Sequence, residues 1–125
     1  MKKIGEFYKE KILILPVSNL KIVELPAKNG EVFVQKDLFG WKLISGKSIV
    51  ECSSEEEARY LRVFLDIGIK DIKIPVDLNY LASILQELET LKSKTDEIIE
   101  MYLDSVLDKN VKEKVRNEVY MEIVK

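Results

Sequence analysis

The sequence of 125 residues has no histidine and a single cysteine, Cys52. Histidine is the side chain whose ordinary pKa lies closest to neutrality, so general acid–base catalysis usually draws on it. One cysteine cannot form a disulfide within the chain, which fits a reducing compartment such as the cytoplasm. Because Cys52 lies in an apolar segment, we interpret it as a small buried side chain. The sequence therefore predicts a cytoplasmic protein that is not an enzyme.

Ligand patterns for metals and cofactors are missing as well. Without histidine, a metal ion would be held by carboxylates, and no loop has the alternating Asp/Asn pattern with glycine that calcium needs. The longest unbroken apolar run, residues 12–15, is far shorter than the roughly 20 residues of a membrane span. We expect no cofactor, no metal and no membrane contact.

Charge is unevenly distributed, although the net charge is only -2. Residues 1–49 carry nine basic and five acidic groups (+4), residues 50–108 carry six and fourteen (-8), and residues 109–125 carry five and three (+2). The sequence thus lacks the strong basic stripe that is typical of nucleic-acid-binding proteins. Nucleic acid stays an alternative partner.

Short apolar segments bounded by proline and glycine predict a strand-rich first part, residues 1–76. Strands are expected at residues 11–16, 20–25, 31–35, 41–44, 48–52 and 69–74. Asn29–Gly30 predicts a hairpin between the second and third of these strands, and Ser45–Gly46–Lys47 predicts one between the fourth and fifth. These segments favour a small antiparallel sheet of about five strands.

One helix interrupts the strands. Ser54 is placed to accept a hydrogen bond from the N–H of Glu57, and the Glu57 side chain is placed to reach back to the N–H of Ser54. Gly68 ends the helix. Its predicted buried face consists of Ala58, Leu61, Phe64 and Leu65.

Residues 77–125 predict a helical tail. Asp77 is a candidate N-cap for a long helix at 78–107, and a break near residue 110 precedes a final helix at 111–124. Polar residues at 92–95 interrupt the apolar stripe and predict either a bend or the end of a helical bundle at this point. The fold class is therefore α+β: a small antiparallel sheet with one packed helix, followed by a long helix and a C-terminal helical hairpin.

The tail also predicts an interface. A helix of about eight turns is roughly 45 Å long, whereas strands of a small sheet are about 20 Å long. Part of the apolar stripe is therefore expected to be covered by a second copy of the chain or by a protein partner. The predicted interface residues are Leu81, Ile84, Leu85, Leu88, Leu91, Ile98, Ile99 and Tyr102.

The segment from Gly40 to Ser48 bears a superficial likeness to a phosphate-binding loop. That motif needs four residues between its glycines and a helix after it, whereas here five residues, alternating like a strand, separate Gly40 from Gly46. We interpret the segment as a hairpin. At the start of this segment, Phe39 and Trp41 either cap the core or form an aromatic contact surface.

Residues 49–61 join a strand, Ile49–Val50–Glu51–Cys52, to a helix that begins with acidic residues and continues Ala58–Arg59–Tyr60–Leu61. This arrangement resembles a stretch in the target-recognition regions of restriction–modification proteins, namely adenine-specific DNA methyltransferases and the specificity subunits of type I systems. The long helix at 78–107 is similar to the spacer helices of those subunits. The resemblance implies DNA recognition and assembly with a methyltransferase, although the chain has no catalytic Asn-Pro-Pro-Tyr run.

Two functions follow from these patterns. The first is a non-enzymatic interaction module that self-associates or docks a protein partner through its helical tail. The alternative is a DNA-binding accessory of a restriction–modification-like system. Its contacts would be Lys2, Lys3, Lys9, Lys11 and Lys42 in the first part of the chain, or Lys109, Lys112, Lys114 and Arg116 near the end.

Overall fold

A computed structural model describes residues 2–103, with side chains as far as Met101. Three helices and five strands follow one another, with a short 3-10 turn at Val17–Asn19. They are α1 (Ile4–Lys11), β1 (Leu20–Glu24), β2 (Val32–Asp37), β3 (Gly40–Ser45), β4 (Ser48–Cys52), α2 (Glu55–Asp66), β5 (Asp71–Pro75) and α3 (Leu78–Leu103). The α+β class is confirmed. The end of the predicted long helix and the final helix at 111–124 lie outside the described residues.

The strands form two antiparallel sheets instead of the single sheet that the sequence predicted. One sheet has the order β1-β5, and the other has the order β2-β3-β4. The hairpin predicted at Asn29–Gly30 is wrong, because β1 pairs with the distant β5 and not with β2. Asn29 instead packs on the turn between β3 and β4, where its N–H donates to the Ser45 hydroxyl over 2.8 Å.

The N-terminal strand predicted at residues 11–16 is also wrong. Helix α1 ends at Lys11, and residues 12–15 form turns after it. Ile4, Phe7 and Ile12 are fully buried, while Ile14 is exposed. A short apolar run of this kind is compatible with a strand or with the end of a helix. Here the helix forms, because it buries Ile12 together with Ile4 and Phe7.

Both hairpin turns of the three-stranded sheet have two central residues. Gly46 and Lys47 connect β3 to β4, as predicted, and only Gly46 has a positive φ, +60°. Positive φ at the first central residue alone is the pattern of a type II′ turn, which suits the twist of a hairpin. Leu38 and Phe39 connect β2 to β3 in a two-residue turn whose position was not predicted.

Helix α2 begins and packs as predicted. The Ser54 hydroxyl accepts a hydrogen bond from the N–H of Glu57 over 3.1 Å. The Glu57 carboxylate, expected to bond back to Ser54, instead accepts from the Lys21 ammonium over 3.0 Å and from the Ser53 hydroxyl. The four predicted core residues, Ala58, Leu61, Phe64 and Leu65, are all fully buried.

Helix α3 begins at the predicted N-cap and is continuous through its polar segment. The Asp77 carboxylate accepts from the N–H of Asn79 over 2.9 Å and from that of Tyr80 over 3.2 Å. Thr95 is buried, and its hydroxyl donates to the carbonyl of Leu91 over 2.7 Å. Thr95 therefore continues the buried stripe from Leu91 to Ile99 across the polar residues at 92–95.

A single buried cluster includes side chains from all three helices and both sheets. At its centre the ring of Phe64 packs against Tyr60 and Tyr8, with ring centroids 4.9 and 5.8 Å away. The hydroxyl of Tyr60 donates to the carbonyl of Lys73 over 2.7 Å, and the N–H of Lys73 donates to the hydroxyl of Tyr8 over 3.1 Å. The two tyrosines thus satisfy backbone groups of Lys73 on the edge of β5 that faces away from β1.

Candidate interaction surfaces

Most of the predicted tail interface is buried inside the chain. Six of its eight residues belong to the core where α3 packs against α2, α1 and β5: Leu81, Ile84, Leu85, Leu88, Leu91 and Ile99. An apolar side chain that is already buried in this way has no surface left to offer a partner. Among the described residues, only those at the end of α3 therefore remain available for the predicted interface.

At that end, apolar side chains remain exposed. Ile98 is 51% exposed and Met101 is 76% exposed. Residues three apart lie on the same face of a helix, so the two side chains form one apolar strip. Met101 was not among the predicted interface residues, and the side chain of Tyr102 lies outside the described part. Among the described residues, Ile98 is therefore the predicted interface residue that remains exposed, and Met101 extends its apolar surface.

Among residues 2–101, the tip of the β2–β3 hairpin carries the most exposed large apolar side chains. Leu38 is 97% exposed and Phe39 is 95% exposed. Phe39 therefore does not cap the core. Trp41 is partly buried, and the Lys36 ammonium lies 5.6 Å from the centre of its ring, within reach of a cation–π interaction. The two predicted aromatic residues thus occupy different surroundings, and only Phe39 projects fully into solvent.

Asp37 fixes the conformation of this tip. One oxygen of its carboxylate accepts from the N–H of Phe39 over 2.8 Å, and the other lies 2.8 Å from the Lys42 ammonium. The bond to Lys42, followed by that to the Phe39 N–H, holds the pKa of Asp37 below its ordinary value, so the carboxylate is charged at neutral pH. Leu38 and Phe39 are accordingly presented on a turn whose backbone is held by hydrogen bonds.

A concave surface lies between α2, α3 and the start of β2. It is a cleft of about 280 Å³ lined mainly by charged side chains. Asp66 lies 2.7 Å from the Lys92 ammonium and 3.0 Å from that of Lys28, and Arg59 Nε donates to Glu89 over 3.2 Å. Burial raises the pKa of Asp66, but the bonds to Lys92 and Lys28 outweigh it and the pKa lies below its ordinary value. Asp66 is thus a fixed negative charge near neutral pH and not a proton carrier.

Cys52 occupies a half-buried position at the end of β4. Burial, and next the negative charge of Glu57, raise the pKa of its thiol to about 11, although Lys21 opposes the shift. The thiolate is the reactive form of cysteine. At neutral pH the thiol is therefore almost entirely protonated.

We expect iodoacetamide to alkylate Cys52 in the folded protein roughly a hundredfold more slowly at pH 7.5 than in guanidinium-unfolded protein, whose thiol has an ordinary pKa. The rate in the folded protein should rise steeply as the pH approaches 11 and thiolate forms. Mass spectrometry of timed samples measures both rates. Equal rates in folded and unfolded protein at pH 7.5 would contradict the assignment.

The predicted DNA contacts fall into two groups. Lys2 lies 2.5 Å from Glu10 and 3.3 Å from Glu87, and Lys42 is bonded to Asp37, so the charges of Lys2 and Lys42 are already compensated. Lys3, Lys9 and Lys11 lie on or next to α1. The second group lies outside the described residues: Lys109, Lys112, Lys114 and Arg116.

The described part of the chain offers neither a metal-binding cluster nor a membrane-spanning helix. Residues 2–103 contain no group of three or more Cys, Asp and Glu side chains arranged to hold a metal ion. In the same range, no helix has the length and apolar character needed to cross a membrane.

Comparisons with protein families, with curated proteins and with solved structures give no match. No site from another protein can therefore be placed on these residues. The likeness of residues 49–61 to restriction–modification proteins stays a prediction.

Proposed function

We propose that this chain is a non-enzymatic interaction module that binds a protein partner, or a second copy of itself, with the β2–β3 hairpin tip as its anchor. The observation that carries the proposal is the full exposure of Leu38 and Phe39 on a turn that Asp37 holds in place. Aromatic side chains such as that of Phe39 are enriched at the cores of protein–protein interfaces. A rigid tip also loses little conformational entropy on binding.

The hairpin tip alone is too small to form a stable protein–protein interface. A phenylalanine that enters a pocket buries about 150–250 Å², whereas a stable interface buries about 800 Å² on each partner. The exposed strip at the end of α3, Ile98 and Met101, offers a second apolar contact. The helical tail therefore takes part in the proposed contact only through this strip, because the other residues of its apolar stripe are buried in the core.

The tip is tested by replacing both residues, Leu38→Ser and Phe39→Ser. We expect the double variant to fold normally, because neither side chain contributes to the core, but to weaken association by about 10- to 100-fold, since an aromatic anchor typically contributes 2 kcal/mol or more. Sedimentation equilibrium over a wide concentration range measures self-association. Val17→Ser is the matched control, because Val17 is another exposed apolar residue remote in sequence from the tip.

A partner of different sequence is detected by photo-crosslinking. A benzophenone amino acid placed at position 39 should form one dominant adduct in cells, and the same group at position 17 should not. Unchanged self-association in the tip variant together with equal crosslinking from positions 39 and 17 would overturn the proposal. Salt-sensitive binding of duplex DNA, measured by fluorescence anisotropy, would favour the DNA-binding alternative instead.

A further inference from the structure

The two sheets end in strands that face the same shallow groove. Its lining comes from the end of β1 with the residues after it, and from β4: Glu24, Leu25, Pro26, Ile49, Val50 and Glu51. Lys21 near the start of β1 and Ser53 directly after β4 both bond to the Glu57 carboxylate, so the start of β1 lies near the end of β4. The two strands therefore run antiparallel on opposite sides of the groove.

The edge of β1 that faces away from β5 is open, in that no strand within residues 2–103 pairs with it. The hydrogen bonds Leu25 N–H to Lys70 carbonyl and Val76 N–H to Asn19 carbonyl extend the β1–β5 ladder at both ends. Because hydrogen-bonded pairs alternate with non-bonded pairs in an antiparallel ladder, the N–H and C=O groups of Ile22 point away from β5. Leu20 and Glu24 follow the same alternation.

The edge of β4 is open in the same sense. The two-residue turn at Gly46 and Lys47 makes Ser45 and Ser48 a hydrogen-bonded pair. By the same alternation, the N–H and C=O groups of Ile49 and Glu51 point away from β3. Both sides of the groove thus present main-chain donors and acceptors.

The two edges do not pair with each other. Paired strands are about 4.7–4.9 Å apart, whereas the Cα atoms of β1 and β4 lie more than 8 Å apart over most of the two strands. At one end, the Lys21 ammonium and the Ser53 hydroxyl both bond to the Glu57 carboxylate. Beneath the groove, Leu25 is buried and Val50 packs on the core.

The outer rim of the groove has alternating chemistry. Ile22 on β1 and Ile49 on β4 are exposed and apolar, while Glu24 and Glu51 are exposed and acidic. Asp71 lies directly opposite Glu24 in the β1–β5 ladder, a like-charge pair that an additional cation would relieve. A lysine or arginine side chain suits this rim, because its aliphatic stem packs on isoleucine while its charge meets a carboxylate.

We propose that this groove binds an extended segment of a partner protein as an added β-strand, with basic residues at alternate positions on its outer side and apolar residues between them. Main-chain hydrogen bonds to the open edge of β1 would supply affinity, and the alternating rim would select the sequence. This surface is separate from the hairpin tip, so either can fail without the other.

A fluorescent peptide of eight residues with alternating lysine and valine is a direct probe, and its binding is followed by anisotropy. A peptide of the same composition in scrambled order, and one with glutamate in place of lysine, should each bind at least tenfold more weakly. On binding of the alternating peptide, hydrogen exchange should slow at the amides of Ile22 and Glu24. No binding of the alternating peptide at low salt, or equal binding of the scrambled one, overturns the proposal.

Variants separate main-chain from side-chain contacts. Ile22→Pro removes the N–H that faces the groove without touching the β1–β5 ladder and should weaken binding at least tenfold, whereas Ile22→Ala retains the N–H and should weaken it less. Glu24→Gln with Glu51→Gln should weaken binding about tenfold by removing two screened charges, and Glu6→Gln on α1 should not. A change of oligomeric mass in Ile22→Pro without peptide binding to the native chain would identify a second copy as the occupant and overturn the peptide proposal.

Discussion

Replacing Leu88 by alanine is expected to lower the free energy of unfolding by about 2–5 kcal/mol, because the shortened side chain leaves a cavity. Leu88 is 0% exposed, on the face of α3 that belongs to the core. Urea denaturation followed by circular dichroism measures the change. A substitution at this position, chosen from the sequence to disrupt an interface, would instead disrupt the fold.

Ile98 provides the control on the same helix. It is half exposed, and we expect Ile98→Ala to change the free energy of unfolding by less than about 1 kcal/mol while reducing any association through the end of α3. Similar losses of stability in both variants would contradict the assigned burial. The assigned burial would also be contradicted if Leu88→Ala left the stability unchanged but lowered the molecular mass in solution, because that result would indicate lost association.

The second large effect is expected at Gly46. Its φ of +60° is unfavourable for a residue with a side chain, and a Cβ atom would lie 2.5 Å from Asn29 Nδ2 and 2.9 Å from the Asn29 carbonyl oxygen. We expect Gly46→Ala to lower the free energy of unfolding by about 2 kcal/mol or more, from backbone strain and steric overlap together. The midpoint of thermal or urea unfolding measures this loss.

Gly30 separates the two causes. Its φ is +78°, but nothing lies within 4 Å of an added Cβ. Gly30→Ala should therefore show the backbone cost alone, about 1 kcal/mol. Adding Asn29→Ala to Gly46→Ala should recover part of the loss, because the clashing amide is removed. Equal losses at both glycines would show that the contact between Asn29 and Gly46 does not constrain the fold.

Local patterns in the sequence were sufficient for features that depend on neighbouring residues. The Ser54 cap and the buried face of α2, the turn at Gly46 and the N-cap at Asp77 all occur where they were predicted. The caps and the turn each depend on an interaction between residues within a few positions of one another, and the buried face of α2 follows from the helical period of its apolar residues. The Leu38–Phe39 turn carries a similar local signal, Asp37 first and Gly40 last, that identifies it in retrospect.

Features that depend on distant contacts were not predictable in this way. Asn29–Gly30 has the composition of a hairpin turn, but β1 finds its partner in β5, roughly 50 residues away in the chain. The apolar stripe of α3 looks the same in the sequence whether its own core or a partner covers it. Leu88 is buried and Ile98 is half exposed because only one face of α3 packs against the rest of the chain, and that face still buries Ile99.

Short-range hydrogen bonds and hydrophobic periodicity therefore specify the α+β class, most of the helices and strands, and the local caps and turns, and these could be predicted from the amino-acid pattern. The tertiary structure decided how five strands divide into two sheets, which apolar side chains remain exposed at Leu38 and Phe39, and which strand edges remain open. Exposed side chains and open strand edges are properties of the folded surface. They depend on contacts between residues that are distant in the sequence, because those contacts decide which side chains are buried.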